Sequence, residues 1–502
     1  MCFGQIKMDY TARFTDAQNH YVEVQLNCEN LSSETTDFML PVWSPGYYQI
    51  LDFPKNIVDF SIKNTKGDTV KWSKKSKNHW VVENKADKHI IITYRYFANQ
   101  KSVAESNVNE TRAFIMPNNM FMHIKGHIDN PVKLSLYPNK SWKTINTGLK
   151  KIEKEPHVFY AENFDVLYDS PIYMGNPYSL NFQHEGKYYD LSIANPEGLN
   201  DATFINDLKR IISASTSMMQ HVPYDTYSFI FMEAGGGGLE HWNSQAVFTS
   251  GSFNFTSNSD YVDFLNFITH EYFHLYNVKA IRPFELGPFD YSRENYTNML
   301  WVSEGLTVYY EYIIMMKAGL LKSDAALKYL SDAIGKYENT EGKNHMTLAR
   351  SSFDIWLNFF NKNSNAREAT ISYYNKGPIV GFLLDLKIRN STKNNKSLDD
   401  VMRFLYNQYY LKENRGFKEE EFWLACETIS GDSMEDIKEY VYSVKEIDYQ
   451  KYLDYAALQV DMPIMDADTN NSTSKKRAYR ITEKGVANKL QSKIRTGIFS
   501  TE

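Results

Sequence analysis

The chain has 502 residues, 42% of them hydrophobic and 23% charged, with a formal net charge of -6 at pH 7. That length exceeds one ordinary hydrophobic core, so two or three globular domains are expected. The weak negative charge gives no basis for binding nucleic acid or an anionic membrane. No apolar run approaches the ~18 residues of a transmembrane span, and three cysteines (Cys2, Cys28, Cys426) with no C-x-x-C pair exclude a disulfide framework.

Residues 1–195 read as a β-sandwich-like domain. His20 to Leu26 alternates strictly, Ile90 to Phe97 is a β-branched and aromatic run, and Asn64 to Asp68 forms a turn between strands Phe60–Ile62 and Thr69–Trp72. The start, Met1-Cys2-Phe3-Gly4, shows neither basic nor apolar signal character. The expected compartment is therefore the cytoplasm, or the periplasm or cell envelope if a leader has been trimmed. Pro41 to Tyr48 is a rigid aromatic loop, read as a sandwich corner with contact to substrate as the alternative. His123 and His127 lie four apart, but Gly126 and the surrounding strand pattern spoil helical geometry, so both are read as structural. The 36 tyrosines are read as compositional bias rather than as sugar-stacking platforms.

A helix is expected over Asn200 to Gln220, then a strand over Tyr227 to Met232. The run Gly235-Gly236-Gly237-Gly238-Leu239-Glu240-His241 follows. It lacks phosphate-loop spacing and suits instead a backbone lying close against a ligand. Strand character resumes at Ala246 to Phe248.

The segment from Tyr261 to Tyr272 places apolar residues at 261, 264, 265, 268 and 272, the spacing of a helix with one buried face, with Ser259 or Asp260 as its N-cap. It carries His270-Glu271-Tyr272-Phe273-His274. At about 100° per residue, the two histidines share a face about 6 Å apart along the axis. Neutral imidazoles so placed can hold one Zn²⁺, with Glu271 beside them as general base. The bland alternative is a chance match.

After residue 295 the periodicity is helical, with helices expected near 303–318, 323–337, 378–390, 397–410, 418–428 and 433–443. A third ligand is sought there, and Glu304, in an otherwise apolar stretch capped by Ser303, is the candidate. Its alternative is a first-turn glutamate complementing the helix dipole. Glu311, two turns on, is a candidate hydrogen-bond partner for a ligand, with a surface charge as the equal alternative. Tyr373 and Tyr374, just before a helix that Pro378 starts, are candidate oxyanion donors or plain packing residues. Asp466 to Arg477, centred on Asn470-Asn471-Ser472-Thr473, is polar and read as a flexible tail segment.

Four motifs in order carry a family likeness: Gly236 to His241, His270 to His274, its continuation Asn277-Val278-Lys279-Ala280-Ile281-Arg282-Pro283, and Trp301 to Tyr310. With them the chain resembles the glycyl-aminopeptidase family of zinc metallopeptidases and, more distantly, the aminopeptidase N and leukotriene-A4 hydrolase type. The resemblance runs from the Pro41–Tyr48 loop to about Leu458. It implies a thermolysin-like catalytic domain over 196–457, one Zn²⁺ held by His270, His274 and Glu304, and Glu271 as general base. It further implies that Glu240 grips the free α-amine of a peptide substrate, beside Gly236, Gly237 and Gly238, and that Tyr374 steadies the oxyanion. Small N-terminal residues such as Gly or Ala follow from the likeness alone. Two features depart from it. The His274-to-Glu304 interval is longer than in aminopeptidase N relatives, and the polar tail 458–502 is too short for a whole PDZ domain, at most a truncated segment of one. Rival readings are a zinc endopeptidase or another zinc hydrolase with the same ligands, and a catalytically silent scaffold that binds peptides or glycans.

Overall fold

Strict alternation decides the first sheet. Tyr21–Glu29 and His89–Phe97 each alternate half-buried and buried residues along their length, so one face of each strand joins a core. The computed structural model describes residues 5–85, 87–233, 235–249, 253–358, 368–463 and 477–500. The fold is mixed α+β, with a sheet-rich N-terminal region followed by a helical C-terminal region. The chain divides into two compact units. The first holds Met1–Leu199, Tyr224–Thr256 and Asp290–Glu294; the second holds Asn200–Pro223, Ser257–Phe289 and Asn295–Glu502. The polypeptide thus crosses between units beyond the boundary expected at 195.

In the first unit, a seven-stranded sheet runs in the order 150–151, 158–161, 132–137, 7–13, 21–29, 89–97, 57–64. The turn at Asn64 forms as expected, with the Asp68 amide donating to Asn64 Oδ1 at 2.9 Å. The expected strand Thr69–Trp72 does not form. Trp72–Ser76 instead pairs with His79–Val82 in a separate four-stranded sheet, because the chain changes sheets after its single bridge from Thr69 to Lys63. A five-stranded sheet follows, in the order Tyr178–His184, Lys187–Ile193, Thr226–Glu233, Ser244–Thr249, Gly237–His241. Its three central strands are parallel and its two outer pairings antiparallel, which leaves Gly237–His241 on the edge. Phe114, Met116, Tyr173, Ile230, Leu239, Ala246 and Phe248 form one buried cluster under that edge. His123 lies between Phe164 and Tyr168, and its Nδ1 is 2.9 Å from the Tyr168 hydroxyl. Burial pushes this imidazole down to about 4, as for a packed neutral histidine.

The second unit is helical. Asp201–Met219 is capped by Asn200, and Asn258–Phe273 begins two to three residues earlier than the sequence suggests. Its cap is Ser257, whose hydroxyl accepts from the Asp260 amide, and not Ser259 or Asp260. Trp301–Gly305 is a π-turn leading into Leu306–Lys317, so Ser303 lies buried inside the turn and is no cap. Tyr373–Ser391 is capped by Ser372, which places Pro378 inside the helix rather than at its first position. As the sixth residue of the helix, Pro378 leaves the Tyr374 carbonyl without its i+4 amide. The remaining expected helices appear as Ser323–Glu338, Leu398–Leu405 continued by a π-helical Tyr406–Lys412, Glu419–Ser430 and Glu435–Tyr442.

In the tail, Leu458–Asp461 pairs with Arg480–Glu483, and Lys489–Phe499 is a helix. Both outer strand edges are covered by side chains. Ser331 Oγ accepts from the Ile481 amide at 2.9 Å, and Gln450 bonds Leu458 O and the Val460 amide. The polar run from Asp466, with its Asn470–Thr473 centre, lies outside the described residues except for Arg477. Cys28 and Cys426 are buried and free. No helix among the described residues is long and apolar enough to cross a membrane.

Candidate metal centre

The i, i+4 geometry of Asn258–Phe273 brings His270 and His274 together, with Nε2 atoms 3.0 Å apart and rings nearly perpendicular. Glu304 Oε2 lies 3.3 Å from His274 Nε2 and 3.7 Å from His270 Nε2. All three residues are buried, and Glu304 is only 2% exposed, so it is no solvent-facing first-turn carboxylate.

The other ring nitrogens are occupied. His270 Nδ1 is 2.8 Å from Glu311 Oε2, whose second oxygen accepts from Asn266 Nδ2 at 2.7 Å. His274 Nδ1 is 2.8 Å from the main-chain oxygen of Asn277. A carbonyl can only accept, so His274 carries its proton on Nδ1, and the Glu311 carboxylate favours the same tautomer for His270. Both neutral imidazoles then turn an Nε2 lone pair toward the other and toward a carboxylate. Three electron-rich atoms facing one another in a buried site require a cation among them. Two imidazole nitrogens and one carboxylate oxygen are the donor types a catalytic zinc takes, and the outer partners Glu311 and Asn277 set the ring orientations. The donor set therefore fits Zn²⁺.

The electrostatics agree. Burial alone would raise the Glu304 carboxyl, yet His274 and His270 outweigh it and hold the group far below the usual carboxylate range. Burial would lower His270, but the Glu304 and Glu311 carboxylates reverse the direction, so the pocket favours positive charge, a demand that a cation at the Nε2 atoms would meet with both rings neutral.

The third ligand candidate and the tyrosine owe their positions to a glycine pair. A Cβ on Gly305 would lie 2.6 Å from Gly377 Cα, and one on Gly377 would lie 2.6 Å from Gly305 Cα, so the two backbones meet with no side chain between them. Tyr374, three residues before Gly377, thereby donates its hydroxyl to Glu304 Oε2 at 3.1 Å. Trp301 anchors the same turn, packed on Phe422 and Trp423 at ring distances of 5.5 and 5.8 Å. Glu271 is buried, with a carboxylate oxygen within 4.8 Å of a His274 ring nitrogen.

In the first unit, Glu240 lies on the edge strand Gly237–His241, opposite Gln245, and is 4% exposed. Asp169 pins the end of that strand. Its two oxygens take His241 Nδ1 at 3.0 Å and the Trp242 amide at 2.9 Å. Gly237 needs its glycine for a φ of +99°, and Cβ atoms on Gly236 and Gly237 would meet nothing within 4 Å. The Pro41–Tyr48 loop is more than a corner, for Gly46 sits directly against the Glu240 carboxylate. Asn266 had no role assigned from sequence. Its position four residues before His270, on the same helical face, was the available signal.

The chain matches the family models for the Peptidase M61 N-terminal domain over residues 9–176 and for M61 glycyl aminopeptidase over residues 263–380. No curated protein matches it. Among solved structures, an aminopeptidase N family protein from Idiomarina loihiensis superposes with a TM-score of 0.86 at 26% identity, over 93% of this chain and 82% of that one. An M1 zinc metallopeptidase from Deinococcus radiodurans matches at TM-score 0.53 and 10% identity, over 89% and 95% of the two chains. Aminopeptidase A of Legionella pneumophila, in complex with aspartic acid, matches at 0.55 and 11%, over 95% and 55%.

Proposed function

Since the chain belongs to the M61 glycyl-aminopeptidase family and is a metallopeptidase, we propose that it removes small N-terminal residues, Gly or Ala, from peptides bearing a free α-amine. The observation that carries this reading is the convergence of His270 Nε2, His274 Nε2 and Glu304 Oε2, with both remaining ring nitrogens already bonded. A Zn²⁺ ion bound there would acidify a water molecule and polarise the scissile carbonyl. Glu271, beside the two histidines, would serve as general base toward the attacking water and would return the proton to the departing amine. Tyr374 turns its hydroxyl from Glu304 to the oxyanion as negative charge develops. Glu311 and the Asn277 carbonyl keep the two imidazoles in the tautomer that leaves Nε2 free. Glu240 pairs with the substrate's α-ammonium, and the one-sided edge strand Gly237–His241 offers main-chain groups to an extended peptide. A Deinococcus radiodurans relative of the same fold binds the tripeptide substrate Tyr-Ser-Ala, which is in keeping with a peptide ligand.

The test measures zinc content and hydrolysis of Gly- and Ala-aminoacyl reporters and their N-acetylated forms, with and without chelator. Glu271→Gln should keep one equivalent of zinc and lose nearly all turnover, and full activity in that variant removes the general-base role. Glu240→Ala should impair free-amine substrates far more than acetylated ones. Equal loss on both indicates an endopeptidase.

A further inference from the structure

Asn277 is fully buried, and it joins the segment that follows His274 to the turn that carries Glu304. In an α-helix the Leu306 amide would bond the Val302 carbonyl. In the π-turn it donates to Trp301 O instead, so Val302 O loses its α-helical partner. Asn277 Nδ2 takes that place, donating to Val302 O at 2.8 Å, to Ser303 O at 3.1 Å and to Thr307 Oγ1 at 3.0 Å. Thr307 closes the ring by donating its hydroxyl to Ser303 O at 2.7 Å. The two carbonyls fix the orientation of the amide, since a flipped Asn277 would set its own oxygen against them. The main-chain oxygen of the same residue accepts from His274 Nδ1.

We propose that Asn277 is a positioning residue whose side-chain amide holds the Trp301–Gly305 turn in its π register and so keeps the Glu304 carboxylate on the two imidazoles. The inference rests on the reading of Glu304 as a metal ligand. Without the amide, the turn can recover ordinary helical bonding by shifting one residue. That shift rotates Glu304 on the order of 100° about the helix axis, away from His270 and His274. A side-chain variant leaves the Asn277 carbonyl, and therefore the His274 tautomer, in place. It reports on the Glu304 arm alone.

The experiment measures Zn²⁺ affinity by competition with a chromophoric chelator for the full-length wild type, Asn277→Ala, Glu304→Ala and the double variant, with far-UV circular dichroism on each. Asn277→Ala should weaken Zn²⁺ binding ~10–100-fold, the range for loss of a residue supporting a ligand. In the Glu304→Ala background the same change should cost no further affinity, because the carboxylate it positions is gone. An equal loss in both backgrounds shows a general packing role and overturns the proposal. Unchanged affinity in Glu304→Ala by itself removes the ligand reading, and the proposal falls with it by a separately visible route. If Asn277→Ala does not fold, Thr307→Val and Thr307→Ser act on the same ring. Weakened binding in the valine variant, restored by serine, supports the proposal, and wild-type binding in both refutes it.

Discussion

Gly46 offers a measurement with its control built into the chain. A Cβ on this residue would lie 2.6 and 2.8 Å from the two Glu240 carboxylate oxygens and 2.7 Å from Leu239 Cδ1, at a φ of +86°. Gly67 has nearly the same φ, +89°, and a Cβ there meets nothing within 4 Å. Alanine at either site costs the left-handed strain of an L-residue, about 1 kcal/mol. Only Gly46→Ala also moves a carboxylate. Non-bonded carbon and oxygen need roughly 3.2 Å, so Glu240 must retreat by roughly 0.6 Å or the loop must lift by as much. A displacement near 1 Å of a substrate-positioning group costs up to ~10²-fold, which puts the expected loss in kcat/KM on the order of 10-fold for free-amine substrates. The assay is steady-state hydrolysis of Gly- and Ala-aminoacyl reporters by both variants, with thermal midpoints alongside. A midpoint drop in both variants, larger in Gly46→Ala for its added clash, with a kcat/KM loss confined to Gly46→Ala well below either midpoint, would support the reasoning. Equal kinetic losses in the two variants, or full activity in Gly46→Ala, would refute it.

Two further outcomes are expected. Tyr374→Phe should lower kcat by ~10²–10³ with KM little changed, as for removal of one oxyanion donor, and a KM-only effect would reassign Tyr374 to substrate binding. Lys376 is fully buried, its Nζ has no hydrogen-bond partner among the described residues, and it lies 4.9 Å over the Tyr337 ring. Burial pulls its amine down to about 8 against a smaller opposing pull from Glu338. Below pH 8 the fold bears the whole cost of that buried charge. Between pH 8 and the unfolded value near 10.5 the native amine deprotonates first and the cost fades, so stability rises with pH through that window. The gain is on the order of 3 kcal/mol at most. Thermal midpoints of wild type and Lys376→Met should therefore converge between pH 7 and 9.5, and a constant difference would show that Lys376 keeps its ordinary charge.

The two imidazoles were legible because their relation is local: a 3.6-residue period and a spacing of four fix their common face. Glu304 was legible as a charged residue in an apolar stretch, although the turn beneath it was not. Trp301 to Tyr310 is apolar enough to suit several helical registers, and the choice of a π-turn depends on Asn277 and on the Gly305–Gly377 approach, both of which arise only in three dimensions. Asn266 stayed silent for the same reason, since its partner Glu311 belongs to the next helix. The sequence pattern points to Ser259 or Asp260 as the cap and passes over Ser257, because each of these side chains can accept from a nearby amide. Strands showed in their alternation, while the sheet each one joins did not. Trp72–Ser76 continues its hairpin in sequence but pairs elsewhere.

The interleaving of the two units constrains how the molecule can be made. A break after residue 199 would orphan Thr226–Glu233, Gly237–His241 and Ser244–Thr249 from the sheet begun by Tyr178–His184 and Lys187–Ile193. During synthesis, Lys187–Ile193 leaves the ribosome before its parallel neighbour Thr226–Glu233 exists, and the intervening stretch Asn200–Pro223 belongs to the other unit. The nascent chain can pair Lys187–Ile193 with Tyr178–His184 at once, but its other edge stays open through that interval, when chaperone capture and mispairing compete with completion. Fragments designed to report on either half should be cut to the interleaved segments and not at a single midpoint.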